Sequence, residues 1–225
     1  MKKQLFAQLS LASAMALSAS AALTAVSNGS FETFTGSSTT YPYGVVTDGW
    51  VYAGTPGTAS VLAPLSETLG TAPLTPDGVT WLLVDSRSDP QTITQSLGTI
   101  IGGENLTIEA LIGSVTNAAL ADFEIGLYRS LLGSGTADQV LLTLTNSDFT
   151  APALGGTVAA SSASYLTAGL DIGEELFIRI RSTDPDNGAS VEQTLIDSVV
   201  VSVPEPSSTA LLGLGGLALI LRRRK

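Results

Sequence analysis

Glu175-Leu176-Phe177-Ile178-Arg179-Ile180-Arg181 is the stretch that decides the fold. Leu176, Ile178 and Ile180 fall on one side of a period of two, and Arg179 and Arg181 fall on the other. That is the pattern of a strand with one face in a core and one toward water. The same signal recurs upstream. Phe123, Ile125 and Leu127 alternate with Glu124, Gly126 and Tyr128, residues 91–97 alternate polar with apolar, and Leu142 and Leu144 share a face of 140–145. Residues 79–84, 106–112 and 195–203 read as further strands. Turn signals separate them: Asp48-Gly49, Gly102-Gly103-Glu104-Asn105 and Asp184-Pro185-Asp186-Asn187-Gly188. Residues 55–77, with Pro56, Pro64, Pro73 and Pro76, read mostly as irregular connection. About eight to ten short strands without helical crossovers predict an all-β fold, an antiparallel β-sandwich.

Composition narrows the chemistry. The chain has 225 residues and a formal net charge of -10. Between the two ends the only cations are Arg87, Arg129, Arg179 and Arg181, whereas all 20 acidic residues lie between Glu32 and Glu205. So acidic a body repels phosphate backbones and anionic headgroups, which argues against nucleic acid as a partner. No histidine is present, so Ser-His and Cys-His nucleophilic mechanisms and the usual zinc sites are excluded. No cysteine is present either, so packing or a metal must hold the domain.

The two ends read as processing segments. Lys2 and Lys3, an apolar stretch over 5–17 and the small residues Ser18-Ala19-Ser20-Ala21-Ala22 form a signal peptide, residues 1–22, cleaved after Ala21 or Ala22. At the other end Pro204-Glu205-Pro206 precedes an apolar run, 210–221, that stops at Arg222-Arg223-Arg224-Lys225. The run can be a transmembrane helix with its cations on the cytoplasmic side, but it is shorter than the ~20 residues of a stable span. It is expected to anchor the chain transiently. In order and spacing, residues 203–225 resemble the PEP-CTERM sorting tail of exported bacterial proteins. The resemblance implies processing near Pro204, Glu205 and Pro206 by an exosortase, a membrane protease-transpeptidase. The expected domain is then residues 23–202.

That body resembles the galactose-binding-like jelly-roll shared by many carbohydrate-binding modules. The matching phrases are Asn28-Gly29-Ser30-Phe31-Glu32, Asp48-Gly49-Trp50, Gln95-Ser96-Leu97 and Ile196-Asp197-Ser198-Val199-Val200-Val201; residues 55–77 have no counterpart. The resemblance implies that the first and last strand phrases meet, and that Glu32 and Asp197 supply a structural calcium.

Among aromatic residues, the motif positions of Phe31 and Trp50 assign them to the core, and Trp81 joins them. Tyr41, Tyr43 and Tyr52, in or beside a polar loop, are the candidates for an exposed sugar-stacking platform. Asp122 with Glu124, or Glu174 with Glu175, could be offered as a glycosidase pair. Glycoside hydrolysis needs two carboxyls facing one bond, ~5–9.5 Å apart, and neighbours on alternating faces of a strand have poor geometry for that. The expected function is therefore that of a secreted, non-catalytic protein sorted to the cell surface or exopolysaccharide matrix, where it binds glycan. A structural or adhesion matrix protein without a sugar pocket is the alternative, and a glycan-active enzyme is the third reading.

Overall fold

The computed structural model describes residues 23–39, 45–53, 62–67, 72–85, 92–131, 134–157, 161–183 and 192–202. The signal peptide, the sorting tail with Pro204, Glu205 and Pro206, Tyr41, Tyr43 and the 184–188 loop lie outside them. Twelve strands are assigned: β1 (Phe34–Thr35), β2 (Val45–Val46), β3 (Val51–Ala53), β4 (Leu62–Ser66), β5 (Thr80–Asp85), β6 (Thr92–Thr99), β7 (Asn105–Ser114), β8 (Phe123–Arg129), β9 (Gln139–Thr145), β10 (Ser161–Leu166), β11 (Glu175–Ser182) and β12 (Gln193–Ser202). Two antiparallel five-stranded sheets result, ordered β10-β7-β12-β5-β4 and β3-β6-β11-β8-β9, and β1 and β2 form a small ribbon. This is the predicted antiparallel β-sandwich.

Period-two patterning places the core between the sheets. From the second sheet, Ile93, Leu97, Phe123, Ile125, Leu127, Leu144, Leu176, Ile178 and Ile180 meet Leu82, Val84, Leu106, Ile108, Ile112 and Ile196 of the first. Phe31 and Trp50 close this core with ring centroids 5.7 Å apart. A smaller cluster, Leu65, Trp81, Leu83, Val115, Ala118 and Leu195, forms separately. Alternation along β5 gives Leu82 and Val84 to the main core and Trp81 and Leu83 to this cluster. Trp81 Nε1–H donates to the Pro73 carbonyl at 3.0 Å, which ties the preceding loop to the cluster.

Part of 55–77 is strand, because β4 pairs with β5 from Leu62↔Val84 to Ser66↔Thr80. Pro64 hid it. A proline without an N–H fits a ladder only at an edge, and β4 is the edge strand of its sheet.

Candidate functional site

β8 and β11 are neighbours in register, with Ile180↔Ile125, Arg179↔Gly126 and Arg181↔Glu124 as partners. Their outward residues therefore meet in the middle of the second sheet's outer face. Glu124, Gly126 and Tyr128 stand at i, i+2 and i+4 of one strand, and Arg179 and Arg181 stand at i and i+2 of the other. Gly126 leaves room for the Tyr128 ring to lie back across it: a Cβ there would come within 2.7 Å of Tyr128 Cε2. The Tyr128 hydroxyl donates to Glu124 Oε1. Arg181 Nη2 donates to Glu124 Oε2 at 2.6 Å, and Arg179 Nη2 lies 3.7 Å from Oε1. The Arg179 guanidinium covers the ring, 3.4 Å from its centroid, and its Nη1 donates to the Ala137 carbonyl. Burial, then the bond to Glu124, pushes the Tyr128 hydroxyl up, and Glu124 raises Arg181.

Hydroxyl residues surround this centre. Thr94 pairs with Arg179 and Thr92 with Arg181 across β6, and Thr143 and Thr145 pair with Gly126 and Glu124 across β9. All four are half-buried, and Ser96 is exposed. The face thus brings guanidinium N–H donors and hydroxyls together on one sheet. Alternation showed that Glu124, Gly126 and Tyr128 share a side, as do Arg179 and Arg181. What it did not show is that the two strands are adjacent.

The other site residues fall as follows. Tyr52 is not an exposed platform. It pairs with Ile93, packs against the main core, and its hydroxyl accepts the Val46 N–H at 3.2 Å. Burial raises its pKa to about 12. Glu124 has both oxygens committed to the network above. Glu174 accepts from Ser130 Oγ at 2.8 Å, and Glu175 accepts from Ser96 Oγ.

Glu32 and Asp197 do come together. Glu32 Oε1 accepts the N–H groups of Val79 and Thr80, at 2.8 and 2.7 Å. A Cβ on Gly78, whose φ is +86°, would fall 2.2 Å from that same oxygen, so only glycine admits the carboxylate. Asp197, fully buried, accepts from the Ser198 N–H at 2.6 Å and the Asp77 N–H at 3.3 Å. Burial raises its pKa to about 7, with the charges of Asp77 and Glu32 adding to the shift. The pair clasps the first segment, the 77–80 turn and β12. Among the described residues no three acidic side chains group closely enough to hold a metal ion. Three of the pair's four oxygens accept backbone N–H groups.

Fold and site define a class, the antiparallel β-sandwich with a polar outer sheet face. Residues 202–225 match the PEP-CTERM protein-sorting motif, so the chain carries that sorting signal, which marks it for the cell envelope and for an exosortase. Among solved structures, a cyclase from Fischerella sp. TAU superposes with TM-score 0.55 at 15% identity, covering 80% of this chain and 98% of that one. At that identity the likeness establishes a shared fold. The module TmCBM61, solved with β-1,4-galactotriose, covers 79% of this chain and 97% of its own at 12% identity and TM-score 0.44. No curated protein matches the chain. Among the described residues no helix is long and apolar enough to cross a membrane.

Proposed function

We propose that this is an exported, non-catalytic glycan-binding protein, delivered by its PEP-CTERM signal to the cell surface or the extracellular polysaccharide matrix. The observation that carries the reading is the outer face of β3-β6-β11-β8-β9. There Arg179 and Arg181, fixed by Glu124 and Tyr128, stand among Thr92, Thr94, Ser96, Thr143 and Thr145. Sugar hydroxyls pair well with such planar donors and neighbouring hydroxyls, and a support locked before binding lowers the entropy cost of association. The non-catalytic part rests on the acidic side chains. Glu124, Glu174 and Glu175 each hold a protein partner, and neighbours on alternating faces of a strand are poorly placed to flank one bond.

A structural or adhesion role without a sugar pocket is the second reading. It is favoured by the inward placement of Tyr52 and the cover of Arg179 over Tyr128, which remove two aromatic faces from solvent. A glycan array with the chain and with Arg181→Ala separates the two. The first reading expects saturable binding that the substitution weakens. A blank array favours the second.

A further inference from the structure

One end of the sandwich displays a group of exposed aliphatic side chains, and it is the end from which the sorting tail leaves. β12 finishes beside the start of β7, with Ser202 opposite Thr107. Across β7, Leu166 ends β10 opposite Asn105, two strand spacings away, or ~10 Å. The loop from β6 to β7 and the loop from β10 to β11 close this end together. Gly103 N–H donates to the Thr167 carbonyl, Thr167 N–H to the Glu104 carbonyl, and Gly173 N–H to the Ile100 carbonyl. Five large aliphatic side chains stand out here: Ile101 (44% exposed), Leu131 (45%), Leu166 (64%), Leu170 (82%) and Ile172 (54%).

These side chains are displayed on a fixed support. Between Leu170 and Ile172 lies the buried Asp171, which meets Arg129 Nε at 3.1 Å and accepts from the Tyr165 hydroxyl and the Ala168 N–H. Arg129 Nη1 donates to the Leu170 carbonyl at 2.9 Å. The loop is pinned on its inner side while its two aliphatic residues point to solvent. The nearby carboxylates are turned to local donors: Glu104 accepts from the Ile101 N–H, Glu174 from Ser130 Oγ, and the exposed Asp138 from the Leu131 N–H and from Ser134 and Thr136. Arg129, at the end of β8 beside these loops, is neutralised by Asp171.

We propose that this end is a bilayer-contact surface, which seats the domain on the lipid while the tail holds it there. The proposal rests on the reading of the tail as a membrane anchor. Only seven residues, 203–209, separate Ser202 from the apolar run. Fully extended they span at most ~25 Å, which keeps this end of the sandwich at the membrane surface. The start of the body lies at the same end, since Thr24 N–H donates to the Leu97 carbonyl near the close of β6. The tether supplies the proximity that a patch this small lacks as a free binder. The partner it fits is a zwitterionic bilayer, because no unpaired cation among the described residues of these loops attracts anionic headgroups.

The test uses the absence of cysteine from the chain. Single substitutions Leu170→Cys, Leu166→Cys, Leu154→Cys and Ala210→Cys in the full chain each carry a polarity-sensitive fluorophore in phosphatidylcholine vesicles, with a headgroup-level quencher lipid. Leu154 is the control, exposed like the others but near Val115 at the opposite end. The labels at 170 and 166 are expected to be quenched severalfold more than the label at 154. A quenched label at 210 with unquenched labels at 170 and 166 overturns the proposal and leaves the tail reading standing. Unquenched labels at all three positions take down the tail reading and the proposal with it. A label at 170 that is shielded from water but untouched by the quencher lipid also overturns it, in favour of contact between copies.

Discussion

Arg179 lies over Tyr128, its guanidinium carbon 3.4 Å from the ring centroid, and the tyrosine hydroxyl beneath it is bound to Glu124. An outward-facing arginine on a half-buried strand is ordinarily replaceable at little cost. This one covers a ring that is 3% exposed. Arg179→Ala is expected to destabilise the fold by ~1–2 kcal/mol, through the lost cation–π contact and the bond to Ala137. Arg181→Ala, whose side chain is 40% exposed, is expected to cost less, under ~1 kcal/mol. Urea melts of the two variants check the order, and equal losses would contradict the stacked arrangement.

On the inner side of the same strand, Ile178 is fully buried between the sheets. Ile178→Ala is expected to cost ~2–5 kcal/mol, clearly more than Arg179→Ala, in the same melts.

Asp197 sets a pH dependence. Its folded-state pKa is raised to about 7 from an ordinary 3.8. The folded chain therefore holds this proton where the unfolded chain has lost it. The group's contribution to stability is full below the ordinary value and is lost as pH rises through about 7. Relative to Asp197→Asn, the wild-type chain is expected to lose melting temperature between pH 5 and pH 8. Parallel curves would show that Asp197 is ionised throughout. Because most oxygens of Glu32 and Asp197 already accept N–H groups, calcium is expected to raise the melting temperature no more than magnesium at equal ionic strength. A calcium-specific rise that Asp197→Ala abolishes would restore the metal site implied by the jelly-roll resemblance.

The sequence carried the sheets better than the surface chemistry. Period-two patterning located β6, β8, β9 and β11, because each buries one face against a second sheet, and the apolar runs of β5, β7 and β12 also read as strands. The short β1 and β2, the edge strand β4 with its proline, and the Ser-rich β10 escaped, because none carries an apolar period strong enough to read. Tyr52 was misplaced for a related reason. A three-residue strand beside a Tyr- and Thr-rich loop does not reveal which face it turns inward; its pairing with Ile93 does. The Glu124–Arg179–Arg181 cluster depends on strand adjacency, which local sequence does not encode.

The sorting motif predicts processing at the Pro204-Glu205-Pro206 segment, since the apolar run behind it is short for a permanent span. Intact-mass analysis of the exported protein is expected to show a species lacking residues 222–225. A mature species that keeps them would mean a plain anchor.

The most direct test of the account is a binding isotherm of the exported protein on purified extracellular polysaccharide from the producing cell, alongside Arg179→Ala and Arg181→Ala variants confirmed to be folded. The account predicts saturable binding by the wild type, weakened about tenfold or more in the variants, a loss of ~1.4 kcal/mol or more. Binding that does not saturate, or that is unchanged when both arginines are replaced, would contradict it.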